Sequence, residues 1–415
     1  MFGKPLPLVA ALFALLCLCL PASADPRLVW SIERDYHDAV QDVALDVANG
    51  RAILLLSGYK TPLLQIVALD SGAVIQSLER PASDAFPGDL SGSTLALTDD
   101  HIVASGRVDG RPHRYEIAVF DRKTLAYLHS IALPRALDGY EATAARAEVQ
   151  AAGRYALQSY WEIDSFGNPI YGQFDLVTGS FVRAIRFGDV NPDHDPGSFG
   201  AESPNSFTGP VTFDGTTAYF LQYDKEHGGT IFAYDLARGA ALPKLTPPDT
   251  DGRIAIPAVT TPESIFYNVI ETFHAGLTPD LITVSSVWRV NRASGAITMR
   301  YEDPFDPGDQ AAHAFTRAHL DPKRTAYTGT GFPSDTALSE GRLVAGAPNA
   351  PVNGIEAGAY FVFDAATGAL LHQITAPYPR ENGLFGHWLS LDGPYLLVQS
   401  EKNRDVGQVL LYRLD

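Results

Sequence analysis

The chain has 415 residues, and 31 lysines and arginines stand against 48 aspartates and glutamates, which gives a formal net charge of −17 at pH 7. This acidity, without any lysine- or arginine-rich run, argues against a nucleic-acid partner and against an anionic membrane surface. Both cysteines, Cys17 and Cys19, lie close to the N-terminus. The remainder of the chain therefore offers no disulfide, no thiolate metal site and no cysteine nucleophile.

The N-terminus has the pattern of a secretory signal peptide. Lys4 precedes an apolar run over residues 6–20, and the small residues Ala22-Ser23-Ala24 follow it. We expect residues 1–24 to be removed on export, which leaves residues 25–415 as one mature domain in the periplasm or outside the cell. Neither cysteine follows a small residue, so a lipid anchor is not expected. No other apolar stretch approaches the roughly 20 residues of a membrane-spanning helix.

A repeat runs through the mature chain. A short apolar strand ends in an aspartate or asparagine, a turn follows, often with glycine, and a second apolar strand comes next. Aspartate and asparagine accept hydrogen bonds from the backbone two residues on, and glycine supplies the positive φ of a tight turn. Each unit is therefore predicted to be a β-hairpin. The seven marker residues, spaced 51 to 73 residues apart, are Asp70, Asp121, Asp175, Asp235, Asn291, Asp364 and Asp415.

The spacing of the markers leaves room for two further strands in each unit. In the sixth unit these are residues 336–339 and 343–346, and in the seventh they are residues 389–391 and 395–398. The hairpin is then the outer half of a four-stranded blade. Such sheets bury both faces only when they stack around an axis. The sequence predicts an all-β, seven-bladed β-propeller, and a miscounted copy between Asn291 and Asp364 would make the number six or eight.

The seventh unit stops at its marker and lacks an outer strand. Residues 28–32 form an apolar stretch directly after the predicted cleavage site. We expect this stretch to pair with residues 409–414, so that the N-terminal strand closes the propeller and both ends of the domain are held in one blade.

The last two units resemble FG-GAP repeats, the blade units of integrin-α-like propellers and of many bacterial secreted proteins. Residues 343–348 are similar to the GAP segment, residues 385–391 to the FG segment, and residues 359–371 to the strands between them. The earlier units resemble both FG-GAP and PQQ-type or quinoprotein-like repeats. The resemblance implies a propeller with a binding or scaffolding role. The family's calcium loop, D-x-D-x-D-G, is reduced to Asp392-Gly393 here.

A metal site is one interpretation of the segment over residues 189–197. Its alternating oxygen-bearing side chains, Asp189, Asn191, Asp193 and Asp195, could hold a hard cation such as calcium. His194 stands where a calcium loop has glycine. The alternative is an aspartate-rich surface loop stiffened by proline.

A long insertion is predicted over residues 301–330, and long loops in compact domains are often functional. It holds candidate residues for binding a ligand or partner, namely Asp303, Asp306, Asp309, His313 and His319. Carboxylates with histidines could ligate a metal or perform acid/base chemistry, and the alternative is a solvated loop.

The aromatic pairs Tyr160-Trp161 and His387-Trp388 are further candidates. Trp161, His387 and Trp388 either pack between blades or offer a flat face to a sugar or a protein partner.

Scanning for catalytic motifs finds no G-x-S-x-G, H-E-x-x-H or Walker sequence, so no catalytic residue is predicted. The leading hypothesis is a non-enzymatic binding or scaffold protein with a protein or glycan partner. One alternative is a structural subunit of a periplasmic quinoprotein-like oxidoreductase. A hydrolase or lyase with its site on the propeller face is another.

Overall fold

The computed structural model describes residues 25–35, 39–56, 63–78, 94–108, 114–134, 136–137, 140–143, 149–162, 170–191, 206–223, 230–245, 254–274, 281–304, 332–380, 385–403 and 406–414. Within these ranges the chain is almost entirely β. The helical structure there is a 3-10 turn (Val47–Asn49) and the one-turn helix α1 (Phe187–Val190).

The first strand of the chain, β1 (Arg27–Asp35), belongs to the last sheet. Blade 1 comprises β2 (Val40–Asp46), β3 (Arg51–Leu56), β4 (Leu64–Ala68) and β5 (Val74–Leu78). Blade 2 comprises β6 (Leu95–Leu97), β7 (His101–Val108), β8 (Arg114–Asp121) and β9 (Tyr127–Ala132). Between blades 2 and 3 lie two short strands, β10 (Ala136–Leu137) and β11 (Tyr140–Thr143), and β11 pairs with β13 of blade 3 (Tyr155–Glu162).

The next three blades repeat the same order. Blade 3 comprises β12 (Val149–Ala152), β13, β14 (Ile170–Asp175) and β15 (Ser180–Ile185). Blade 4 comprises β16 (Ser206–Asp214), β17 (Thr217–Tyr223), β18 (Thr230–Asp235) and β19 (Ala240–Ala241). Blade 5 comprises β20 (Ile254–Thr260), β21 (Ser264–His274), β22 (Leu281–Asn291) and β23 (Ile297–Glu302).

The last two blades complete the set. Blade 6 comprises β24 (Thr336–Ser339), β25 (Arg342–Ala347), β28 (Ala359–Asp364) and β29 (Leu370–Thr375), with the small hairpin β26 (Pro351–Val352) and β27 (Ile355–Glu356) inserted between its middle strands. Blade 7 comprises β30 (Leu389–Asp392), β31 (Tyr395–Asn403), β32 (Val406–Arg413) and, as its outer strand, β1.

The inner strands of the seven blades surround one axis. In chain order they are β2, β6, β12, β16, β20, β24 and β30; each contacts the next, and β30 contacts β2. The blades therefore form a closed circle, and the prediction of an all-β, seven-bladed propeller is confirmed.

The outer strand of blade 7 comes from the N-terminal side of the chain. β1 runs antiparallel to β32, with Leu28 opposite Tyr412 and Ile32 opposite Val409. The register shifts by a bulge between Leu28 and Trp30.

Successive residues of the middle strands face opposite neighbouring blades. Ile102 and Phe120 pack against blade 1, whereas Val103 and Val119 pack against blade 3. Because both faces of each sheet are covered, these strands are apolar at consecutive positions rather than at alternate ones. This explains the continuous apolar runs that precede the marker residues.

Five marker residues close their outer hairpins as predicted, and Asp415 lies outside the described residues. The Asp364 carboxylate accepts hydrogen bonds from the backbone N–H groups of Ala366 at 3.0 Å and Thr367 at 2.7 Å. The same pattern of acceptance is present at Asp121, Asp175, Asp235 and Asn291. These hydrogen bonds confirm that the repeated residues serve the turn.

Removing one marker carboxylate is expected to cost about 1 kcal/mol, because the turn loses acceptors that compete well with water. We expect Asp364→Ala to lower the free energy of unfolding by that amount in urea denaturation. Asp364→Asn should be close to neutral, since Asn291 performs the same role in blade 5. Equal losses in the two variants would contradict this explanation.

Candidate functional site

The candidate site residues that the structure describes belong to one end of the propeller. In each four-stranded meander the second-to-third connection and the connection to the next blade leave from the end at which the inner strand begins. We call this the upper end. Asp189 and Asn191 follow β15, Asp303 follows β23, and Trp388 directly precedes β30. Trp161, near the end of β13, completes the set.

The structure describes part of the predicted metal segment. The Asp189 carboxylate accepts the backbone N–H of Arg186 at 2.8 Å, and the backbone N–H of Asn191 donates to the carbonyl of Phe187 at 2.8 Å. Both residues thus help to form α1. Asp193 and Asp195 lie outside the described residues. In the ranges that the structure describes, no group of three or more histidine, cysteine, aspartate or glutamate side chains is placed to hold a metal ion.

The predicted insertion begins later than residue 301. Tyr301 and Glu302 are part of β23, opposite Val287 and Ser286. Asp303 is 7% exposed, so it is buried at the edge of blade 5 rather than solvated. Asp306, Asp309, His313 and His319 lie outside the described residues, as does the side chain of Trp161.

Two half-buried carboxylates that the sequence reasoning missed lie at the upper end of the inner strands. Asp42 accepts the N–H of Val43 at 2.8 Å and that of Leu95, in blade 2, at 2.7 Å. Asp335 accepts the N–H of Thr336 at 2.9 Å and that of Leu389, in blade 7, at 3.0 Å. Each carboxylate therefore joins its own inner strand to the inner strand of the next blade.

Other side chains extend this linkage around the axis. Thr94 Oγ1 accepts the N–H of Val149 in blade 3 at 2.7 Å. Ser390 Oγ accepts the N–H of Leu45 at 3.0 Å. Asp392 in blade 7 accepts the N–H of Val47 at 2.9 Å. The inner strands of blades 6, 7, 1, 2 and 3 are thus connected in series by side chains that accept backbone hydrogen bonds.

Burial dominates the electrostatics of the two carboxylates. It raises the pKa of Asp42 to about 6, against the opposing effect of its two backbone donors, and the charge of Asp335 adds to the increase. Burial raises the pKa of Asp335 as well.

We expect the titration of Asp42 to appear in the stability of the protein. Because its pKa is higher in the folded chain than in the unfolded chain, the folded state binds this proton more tightly, and stability falls as pH rises from about 4 to about 6. The expected loss is about 3 kcal/mol. Urea denaturation across this pH range should show the wild type losing about 3 kcal/mol of stability relative to Asp42→Asn, which lacks this titration, as pH rises. A constant difference would contradict the assignment.

Blade 6 holds the segment that precedes β30. Phe385 is fully buried, and its ring meets that of Tyr360 edge-on, with centroids 4.9 Å apart. The Tyr360 hydroxyl donates to the carbonyl of Trp388 at 2.6 Å, and Ser334 Oγ donates to the carbonyl of Gly386. Together with the bond from Leu389 to Asp335, these contacts fix the backbone on both sides of Trp388.

The side chain of Trp388 itself extends from this fixed base into solvent, with 48% of its surface exposed. The imidazole of His387 lies beside it, tilted by 34° with centroids 5.2 Å apart. Burial lowers the pKa of His387, so the imidazole is neutral at pH 7. Among the predicted candidates, the structure brings these two together as an exposed aromatic pair.

Comparison with known proteins bears on the fold. No family model matches the chain, and no curated protein matches it. The chain is similar to the β-propeller domain of Cps50 (Swd1) from Myceliophteria thermophila, with a TM-score of 0.50 at 9% identity, over 92% of this chain and 100% of that one. The similarity at this identity shows the propeller fold alone.

Two further solved structures are similar at lower TM-scores. The Dos1 propeller has a TM-score of 0.44 at 12% identity, over 91% of this chain and 78% of that one. The quinohemoprotein alcohol dehydrogenase ADHIIG from Pseudomonas putida HK5 has a TM-score of 0.45 at 11% identity, over 94% of this chain and 76% of that one. Within the described ranges, no helix is both long and apolar enough to cross a bilayer.

Proposed function

We propose that the protein is an exported, non-enzymatic propeller that binds a protein or glycan partner at its upper end. The observation that carries the proposal is the exposed Trp388 on an immobilised backbone. A large aromatic side chain loses little conformational entropy on binding when its backbone is already fixed, and such residues dominate many recognition surfaces. The signal-peptide pattern of residues 1–24 supports export.

The resemblance to FG-GAP repeats is part of this proposal. The two segments that carry it lie against each other, since a Cβ atom on Gly346 would come within 2.1 Å of the Gly386 carbonyl oxygen. This close contact is what a repeat would show if the segment before each inner strand packs on the preceding blade. The contact makes a rigid platform without calcium.

Affinity capture tests the proposal. The mature chain, residues 25–415, is immobilised and exposed to an envelope extract of the source organism and to a glycan array. The variants are Trp388→Ala and, as a control, Val177→Ala. Val177 is 59% exposed in the turn between β14 and β15, at the opposite end of the propeller.

We expect a protein or glycan that is retained by the wild type and by Val177→Ala and lost from Trp388→Ala. Retention that does not depend on Trp388, or no specific retention at all, would refute the proposal. A coloured redox protein in the captured fraction would instead support the role of a structural subunit in a quinoprotein-like oxidoreductase. Turnover of a captured glycan would support the hydrolase or lyase.

A further inference from the structure

Trp388 occupies a position that other blades fill with acceptor side chains. Its stretch, Trp388-Leu389-Ser390-Leu391-Asp392, corresponds to residues 42–46, 94–98 and 335–339, which begin with Asp42, Thr94 and Asp335. The hydrogen bonds between blades confirm this correspondence, because Leu95 donates to Asp42 as Leu389 donates to Asp335. Blade 7 therefore presents an indole where its neighbours present a hydrogen-bond acceptor.

The residues with these two carboxylates occupy the matching positions of the blades on either side of blade 7. Asp335 accepts the N–H of the residue next to Trp388. On the other side, Ser390 accepts a hydrogen bond from Leu45, and Asp392 accepts one from Val47. Two residues earlier on both strands, Trp388 is therefore level with Val43, the residue after Asp42. Around the axis, Trp388 thus follows Asp335 of blade 6 and precedes Asp42 of blade 1 at the same level of the inner strands.

The surroundings of Trp388 are acidic. Asp42 and Asp335 accept hydrogen bonds from uncharged backbone N–H groups, and these contacts do not neutralise either charge. Each carboxylate can accept further hydrogen bonds, because an ionised carboxylate offers about four lone-pair sites. His387, neutral at pH 7, adds no positive charge beside the indole.

We propose that this position binds an organic cation, the ammonium or guanidinium group of a lysine or arginine on a basic protein segment. The inference rests on the proposed function and names the class of partner. A cation gains attraction from the indole face and from the carboxylates of the neighbouring blades together. The chain contains one example of such a cation–indole contact, since the Arg300 guanidinium lies 4.5 Å from the ring centroid of Trp288. The net charge of −17 favours the approach of a basic protein over long range.

Isothermal titration of the mature protein with hexalysine tests the inference, at low and at high salt. Maltohexaose is titrated in parallel as an uncharged ligand that can stack on an indole. The variants are Trp388→Ala and Asp335→Asn, with folding checked by circular dichroism. The controls are Val177→Ala and Asp235→Asn. Asp235→Asn removes one half-buried charge at the lower end and keeps an acceptor in its turn.

We expect hexalysine to bind with an affinity that falls about tenfold in Trp388→Ala and in Asp335→Asn, and that is unchanged in both controls. Should Asp335→Asn fail to fold, Trp388→Ala alone decides, since its side chain is exposed. No hexalysine binding, or binding that all four variants share, would overturn the inference. Binding of maltohexaose through Trp388, without hexalysine binding, would overturn it and leave the proposed binding function intact. If neither ligand nor the extract yields binding that depends on Trp388, both proposals fall.

Discussion

Replacing Gly358 with alanine is expected to cost more than about 4 kcal/mol of stability, the range of severe core disruptions. Gly358 has a φ of 83°, and a Cβ atom there would lie 1.8 Å from the Phe385 carbonyl oxygen and 2.9 Å from that of Pro348. These neighbours are backbone atoms and cannot rotate away. The segment before β30 would have to leave blade 6, and the support of Trp388 would be lost with it.

Gly354 provides a matched control within the same hairpin region. Its φ is 85°, and a Cβ atom there would meet nothing within 4 Å. Gly354→Ala therefore has the same backbone penalty without the collision, and should cost about 1 kcal/mol. Urea denaturation of the two variants separates the effects. Equal losses of stability in the two variants would show that the close contact between Gly358 and Phe385 does not limit the stability of the fold.

The second large effect is expected at Trp30, where Trp30→Ala should cost about 3–5 kcal/mol. Trp30 is 8% exposed on β1, and its indole N–H donates to the Leu69 carbonyl of blade 1 at 2.9 Å. Its ring lies so close to Gly72 that a Cβ atom there would be 3.0 Å away. One side chain thus joins the outer strand of blade 7 to the outer hairpin of blade 1.

Two variants calibrate this expectation. Leu28→Ala, on the same strand but 41% exposed, should cost less than about 1 kcal/mol. Trp30→Phe keeps most of the packing and loses the hydrogen bond, so a cost of about 1 kcal/mol is expected. Thermal and urea unfolding measure all three. A cost for Trp30→Ala no larger than that for Leu28→Ala would show that β1 contributes little to the stability of the domain.

Local chemistry explains why the marker residues could be predicted from the sequence. Asp364 bonds to residues two and three positions on, so the whole interaction lies within one short stretch of sequence. Glycine follows in most copies, and blade 2 instead has Leu125 at a φ of 63°. The departure did not obscure the repeat, because the aspartate and the flanking strands remained.

The linkage between inner strands could not be found in the same way. Asp42 bonds to Leu95 and Asp335 to Leu389, so each partner lies in the next blade. Residues 42–46 and 335–339 are similar in sequence, but this similarity predicts a hydrogen bond only once neighbouring blades are known to lie side by side. Trp388 was a candidate because of its residue type, and only the fold shows that its blade lies between those of Asp335 and Asp42.

The pairing of β1 with β32 also determines how the domain responds to tension. Arg27 lies opposite Arg413 at the lower end of an antiparallel pair. A force that pulls these two residues apart therefore loads one hydrogen-bonded pair at a time and unzips the strands, rather than shearing all pairs at once. Conversely, a tether attached at either residue leaves from the end remote from Trp388, so a surface-bound molecule presents its upper end outward.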